Sequence, residues 1–307
     1  MKILIAVDGS DYSRRAIEFV ASRQRLIGSS PEIEVLNVQL PLPANPARVV
    51  GKEVVRSYYA EEAEKILKPA RARLQKAGLR PVVRYAVGRP ATEISATADK
   101  NNVDLLVLGS HGHSALAGML LGSVTNEVLV RTKRAMLIVR GKAKGYAESL
   151  KVGIAVDGSR YGREAVKYVL RHLELFGARP RITLVHVVQN FALTGMPSMA
   201  DIAPPAFSEG EVQALQARAF EGAIAPLRAL VKKKIEGAPS HLAPVVEAYE
   251  VRLIGDPGDE LSAYAKEKLD LLVLGSHGYA AFKAAVMGSV ATRVTAHCTV
   301  PLLLVRD

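Results

Sequence analysis

The feature that most constrains this chain is that its second half repeats its first. Residues 2–10, Lys-Ile-Leu-Ile-Ala-Val-Asp-Gly-Ser, return at 151–159 as Lys-Val-Gly-Ile-Ala-Val-Asp-Gly-Ser. Residues 104–112, Asp-Leu-Leu-Val-Leu-Gly-Ser-His-Gly, return unchanged at 270–278, Leu-Gly-Ser-Val at 121–124 returns as Met-Gly-Ser-Val at 287–290, and Leu-Ile-Val-Arg at 137–140 returns as Leu-Leu-Val-Arg at 303–306. The offset is 149 at the first block and 166 from Asp104 onward, so the second copy carries a net 17 extra residues between its second and fourth strands. Each copy has the length of an ordinary domain. The polar, glycine-bearing stretch 141–149 links them, which places the domains at 1–142 and 143–307.

Inside each copy, short apolar runs alternate with helical patterns. Strands are expected at 2–7, 33–38, 81–87, 104–109 and 135–140, and again at 151–156, 181–188, 245–254, 270–275 and 301–306. Helices are expected at 12–26, 52–77, 91–101 and 123–131, and at 161–176, 209–235, 258–268 and 289–296. Continuously apolar strands separated by helices mean βαβ units around a buried parallel sheet. The expected class is α/β, two tandem open doubly wound sheets of five strands each, with any ligand at the carboxyl ends of the strands where their order reverses. Residues 190–208, rich in Pro and Gly, read as a long surface loop over those ends. Each final strand is an apolar edge that needs cover.

Composition narrows the classes. Of 307 residues 49% are hydrophobic, yet no apolar run approaches the ~20 residues of a membrane helix. The N-terminus lacks an apolar signal region, so no membrane and a cytoplasmic location are expected. The single cysteine, Cys298, reads as a small core residue, and no Cys/His cluster has metal-ligand spacing. Of the net charge of +11, residues 1–147 hold +10, from 23 basic and 13 acidic residues. That excess is either a field for nucleotides, polyanions or acidic headgroups or the solvated face of a helix carrying Arg71, Arg73 and Lys76. With 5% aromatics and no Trp, stacking on single-stranded nucleic acid is not expected.

The chemistry concentrates in one spacing. Gly109-Ser-His-Gly112 is followed after nine residues by Gly122-Ser123, and Gly275-Ser-His-Gly278 after nine by Gly288-Ser289. Each Gly-x-x-Gly follows an apolar strand, and each Gly-Ser precedes a helix. Glycines admit close backbone approach and positive φ, and a helix N-terminus offers free N–H groups and a favourable dipole to an anion. The plainer reading is a tight turn and a serine N-cap; identical spacing in two copies favours a phosphate site. At the first strand ends, Asp8 and Asp157 stand where a carboxylate accepts from ribose hydroxyls, with Asp8 facing Gly109. Alternatively Asp8 or Ser10 merely caps the next helix.

These residues resemble the universal stress protein family, whose ATP-binding pattern is Gly-x2-Gly-x9-Gly-Ser/Thr. Both copies satisfy it, and the resemblance covers essentially the whole chain. It implies that Asp8 and Asp157 hold the ribose, and that Val38 and Val187 line the adenine. Gly109, Gly112, Gly122, Ser123, Val124 and Thr125 in the first copy, and Gly275, Gly278, Gly288, Ser289 and Val290 in the second, would take the phosphates. The ligand implied is ATP, or AMP or ADP, with Mg or Mn held mainly by the phosphates. His111 and His277 are not assigned as catalytic or metal ligands. Dimerisation through the last strand is also implied, which a tandem chain makes internally as a pseudo-dimer by pairing 135–140 with 301–306. Thr125 stands where the second copy has Ala291, and Lys283 where the first has Ala117. The first site is expected to be the tighter, through the Thr125 hydroxyl.

Rival functions remain open. Enzymes that split ATP to AMP on a related architecture carry paired glycines after the first strand, absent from Val7-Asp-Gly-Ser-Asp11, and no Gly-x4-Gly-Lys-Ser/Thr occurs. The expectation is a nucleotide-dependent stress-response or regulatory protein, not an enzyme beyond slow ATP hydrolysis. The alternative is a module of the same fold without nucleotide, whose basic first half meets a polyanion or a protein.

Overall fold

A computed structural model describes residues 1–23, 30–43, 51–112, 121–141, 149–188, 209–236, 247–276 and 287–306. The first half runs β1 (Lys2–Val7), α1 (Asp11–Ala21), β2 (Glu32–Gln39), α2 (Lys52–Lys76), β3 (Val82–Val87), α3 (Pro90–Lys100), β4 (Leu105–Gly109), α4 (Ser123–Arg131) and β5 (Ala135–Val139). The second runs β6 (Lys151–Ala155), α5 (Arg160–Arg171), β7 (Arg181–Val188), α6 (Glu209–Glu236), β8 (Glu247–Ile254), α7 (Pro257–Lys268), β9 (Leu271–Gly275), α8 (Ser289–His297) and β10 (Leu302–Val305).

The strands form one ten-stranded sheet in the order β3-β2-β1-β4-β5-β10-β9-β6-β7-β8. Pairing is parallel within each half. Between halves β5 and β10 pair antiparallel, Ile138 with Leu302, Leu137 with Leu303 and Met136 with Leu304. The two five-stranded sheets thus join through their last strands, as the resemblance implied, and each apolar edge covers the other. All six of these residues are fully buried. An edge strand this apolar would otherwise present unpaired N–H and C=O groups to other chains.

Why the centre is buried follows from its sequence: β1, β4 and β5 are runs of Ile, Leu, Val, Ala and Met covered on both faces, as parallel strands require. One face packs α1, α2, α5 and α6 through residues such as Phe19, Leu67, Val169 and Ile224, and the other packs α3, α4, α7 and α8 through Ile94, Val128, Leu261 and Val294. Both apolar layers run unbroken across the seam between halves. The outer strands show the reverse, with Val82 and Tyr85 of β3 and Tyr249 of β8 exposed.

Two expected helices are shorter. The first ends at Ala21, capped by Ser22, where 12–26 was expected; residues 24–26 lie outside the described segments. In the second half 161–176 divides at His172 into α5 and a 3-10 turn, Leu173–Phe176, which buries Leu175 and Phe176 in the core. The 190–208 stretch and residues 142–148, where the domain boundary was placed, also lie outside the described residues.

Candidate functional site

The strand order reverses between β1 and β4 in the first half and between β6 and β9 in the second, and the repeated residues gather at these two switch points. After β1 the chain turns through Gly9, whose φ of 84° suits glycine, into α1. Ser10 caps that helix, its hydroxyl accepting from Ser13 N–H at 3.2 Å. Asp8 does not cap the helix; its Oδ1 accepts from Ser10 N–H at 3.0 Å. Arg14 closes the turn by donating Nη1–H to the Gly9 carbonyl at 2.6 Å. The second half repeats each step: Ser159 N–H donates to Asp157 Oδ1 at 2.9 Å, Ser159 caps α5, Gly158 has φ of 81°, and Arg163 donates to the Gly158 carbonyl. Both carboxylates are therefore held in one orientation by backbone. Asp8 is half-buried and Asp157 exposed.

The motif glycines do different jobs. Gly109 ends β4 under α1, and a Cβ there would come within 2.6 Å of the Tyr12 carbonyl carbon; a Cβ on Gly275 would come within 2.7 Å of Tyr161 Cβ. These two glycines let a helix lie against a strand end. Asp8 accordingly faces Gly112 rather than Gly109: its Oδ2 sits 2.6 Å from where a Gly112 Cβ would be. Gly122 N–H donates to Ser110 O at 2.8 Å and Gly288 N–H to Ser276 O at 3.1 Å, so each Gly-Ser is tied to the turn after the preceding strand. A Cβ on Gly122 would meet His111 Cα at 3.1 Å. The expectation of positive φ is corrected here: in the described crevices it belongs to Gly9 and Gly158, not to Gly109, Gly112, Gly122, Gly275 or Gly288.

Both crevices are closed by the N-terminus of a nine-residue helix, α4 or α8, with Gly122 or Gly288 as N-cap and no side-chain cap. That contrasts with α1 and α5 at the same sheet end, where serines cap. Ser123 and Ser289 are exposed, while Val124 and Val290 pack on the core. Thr125 departs from expectation. It is 4% exposed and its Oγ1–H donates to the Gly109 carbonyl at 2.9 Å, so its one proton braces α4 against β4 and is not offered to a phosphate.

Val38 and Val187 lie half-buried at the ends of β2 and β7. Beside them are two residues the sequence reading passed over. Asn37 donates Nδ2–H to the Val7 carbonyl at 2.9 Å, and His186 places Nδ1 2.7 Å from the Val156 carbonyl. Each ties the second strand to the residue preceding the key aspartate. Among the described residues the buried Asn37 Oδ1 has no hydrogen-bond partner. Tyr12, Arg14, Tyr161 and Arg163 were missed too, although they recur at the 149-residue offset, a signal that was there to read. Asn37 and His186 differ in type and left none.

His111 Nδ1 lies 3.1 Å from Ser110 Oγ, but Ser110 is 2% exposed and its hydroxyl is not placed to attack a substrate. Among the described residues no three His, Cys, Asp or Glu side chains gather to hold a metal. Gly278, His277 and Lys283 lie outside the described residues. A cavity of about 520 Å³ opens between α1 and α2, lined by Val7, Ile17, Ile66, Pro69 and Ala70 and reaching Asp8, Gly9 and Arg14 of the turn after β1. No described helix is long and apolar enough to cross a membrane.

Comparison with known proteins agrees with this architecture. A model of the universal stress protein family matches residues 1–140 and again 149–306. A universal stress protein of Mycolicibacterium smegmatis is 26% identical over 315 residues, covering 99% of this chain and 96% of that protein. Universal stress protein YxiE of Bacillus subtilis is 31% identical over 147 residues, which is 45% of this chain and 98% of that protein. The crystal structure of a universal stress protein from Archaeoglobus fulgidus superposes with a TM-score of 0.67 at 20% identity, covering 99% of this chain and 98% of that one, a likeness of fold. With both halves matched almost end to end, the chain belongs to the universal stress protein family as a tandem pair.

Proposed function

We propose that each half, 1–142 and 143–307, binds one adenine nucleotide at its switch point, ATP foremost. In this reading the chain is a cytoplasmic regulatory protein of the stress response that reports nucleotide to a partner rather than turning over a metabolite. The observation that carries it is the contrast at the carboxyl end of the sheet. There α1 and α5 are closed by serine caps, while α4 and α8 begin at a glycine, with no side-chain cap among the described residues. An uncapped helix start beside a glycine turn suits an anion.

The remaining residues fit the rest of such a ligand. Asp8, fixed by Ser10 N–H, would accept from ribose hydroxyls, and Val38 would lie against the adenine. Ser123 adds an exposed hydroxyl at the phosphates. A divalent ion would be held mainly by the phosphates and would neutralise their charge. Asp157, Val187, Gly278, Gly288, Ser289 and Val290 would serve the second half likewise, with Gly275 giving α5 room against β9.

Two measurements test this. Protein purified and then denatured should release ATP, ADP or AMP detectable by mass spectrometry. In calorimetric titration, Gly122→Val should lose the first site's affinity by about tenfold or more, equal to about 1.4 kcal/mol. The branched side chain would push the 110–112 turn away from α4, because its first carbon already meets His111 Cα at 3.1 Å. Unchanged affinity and stoichiometry in that variant would remove the phosphate role of the motif and leave a protein-binding module.

A further inference from the structure

Each half ends in an arginine that crosses to the other half. Arg140, one residue past β5, is 6% exposed and donates Nη1–H to the Cys298 carbonyl at 2.6 Å and Nη2–H to the Thr295 carbonyl. Arg306, one residue past β10, donates Nη1–H to the Thr132 carbonyl at 2.8 Å and Nη2–H to the Leu129 carbonyl. These four carbonyls are the C-terminal carbonyls of α8 and α4, the two helices whose N-termini close the crevices. The antiparallel β5–β10 pairing makes the crossing possible, because it sets the end of each last strand beside the start of the other.

Such an arrangement is costly unless it does something. Among the described residues neither guanidinium has a carboxylate partner, and the buried Nε of each has no hydrogen-bond partner. Burial holds both arginines below the usual guanidinium range. An apolar side chain would cover the same seam without desolvating a cation. What a guanidinium adds is a rigid fork onto two carbonyls and a positive charge at the negative end of a helix.

We infer that Arg140 and Arg306 are positioning residues acting across the seam, each fixing the phosphate-facing helix of the other half so that each nucleotide site is completed by its neighbour. Resting on the nucleotide reading above, this assigns residues that neither glycine motif contains. A helix of nine residues, about 13.5 Å long at 1.5 Å per residue, is too short to hold its own direction. Clamping its last carbonyls fixes where its first N–H groups point. The clamp on α4 belongs to the second half and the clamp on α8 to the first. Nucleotide in one half is thereby coupled to the seam and to the other half.

The test uses the full chain in two measurements. In the first, hydrogen exchange without nucleotide is followed in Arg306→Gln and Arg140→Gln. The expected result is crossed: Arg306→Gln speeds exchange in 122–131 by about tenfold and leaves 289–297 unchanged, and Arg140→Gln does the reverse. In the second, photolabelling with 8-azido-ATP is mapped by mass spectrometry to each half. Arg306→Gln should cut labelling of the first half about fivefold or more and Arg140→Gln that of the second. Because removing a buried cation can open the seam, Arg306→Lys and Arg140→Lys are measured beside them and should restore part of the loss through one donated bond. Losses confined to the arginine's own half, equal losses in both halves, or unchanged exchange each overturn the inference. No labelling of the unsubstituted protein would sink the nucleotide reading and this one together, whereas labelling without the crossed loss sinks this one alone.

Discussion

In the first half Tyr12 lies over Gly109 and Arg14 grips the Gly9 carbonyl; in the second Tyr161 lies over Gly275 and Arg163 grips that of Gly158. Around these shared joints the fillings differ. The helices α2 and α6 both carry an internal proline, Pro69 and Pro226, at the same distance from their starts. Aligned on them, Ala63 stands where the second half has Phe220, and Ala70 where it has Leu227. Asn37 likewise stands where the second half has His186, whose ring centroid lies 6.2 Å from that of Phe220. The first half has a cavity of about 520 Å³ lined by Ile66, Pro69 and Ala70 of α2, while in the second Ala223 of α6 comes close enough that a Cβ on Gly158 would touch its Cα at 3.7 Å. The contrast teaches which constraint is tighter. Backbone at the strand ends has to be held one way, whereas the space behind it tolerates any filling that packs.

The largest effect should come where the halves agree. Gly109→Ala and Gly275→Ala each set a Cβ against tyrosine backbone, at 2.6 and 2.8 Å from the carbonyl carbons of Tyr12 and Tyr161. Backbone cannot rotate away as a side-chain tip can, so each should cost about 2–3 kcal/mol of stability by overpacking. Urea midpoints compared with the unsubstituted chain measure it. The two losses should match within about 1 kcal/mol, since the joints have one geometry. A tolerated Gly275→Ala beside a costly Gly109→Ala would break the comparison at its base.

How much of this the sequence carried can be judged from the same residues. Strand and helix positions were legible because apolar periodicity and burial are one fact, and the β5–β10 junction because the family resemblance implied it for two apolar edges that needed cover. The motif spacing led to the two crevices at the switch points of the sheet. Its glycines were misread in part, since a sequence does not distinguish a glycine kept clear for a ligand from one kept clear for a helix. Gly109 and Gly275 are the second kind. The roles of the arginines at 140 and 306 were not legible, because their carbonyl partners lie 155 or more residues away in the chain.

Thr125 sharpens the comparison of the two sites. Its hydroxyl is bonded to the Gly109 carbonyl inside the protein, so it gives the first half rigidity that Ala291 does not give the second. Thr125→Ala should lower stability by about 1–2 kcal/mol, from one hydrogen bond and a buried methyl. Affinity of the first site for ATP should change by less than about threefold, well under the tenfold that 1.4 kcal/mol of direct contact would give. Any advantage of the first site then rests on the field of its +10 half and should shrink as salt rises, with a screening length near 8 Å at about 0.15 M. A tenfold loss of affinity in Thr125→Ala, measured by titration, would return the hydroxyl to the phosphates.

The smallest effect lies in the cavity. Ala70 lines its floor and Leu227, at the matching place in α6, is 1% exposed. Ala70→Leu would add three carbons to the space between α1 and α2, worth at most about 0.8 kcal/mol each if fully buried. The mouth is open beside the Arg73–Glu18 pair, which holds its two hydrogen bonds at 2.7 and 2.6 Å. Part of the new side chain therefore stays wet, and fixing its rotamer costs about 0.5–1 kcal/mol. A net gain of about 0.5–1 kcal/mol remains, read as a higher urea midpoint with an unchanged denaturant slope. The opposite sign would mean that α2 stands closer to the sheet at Ala70 than α6 does at Leu227, and that the first half has no room for the second half's filling.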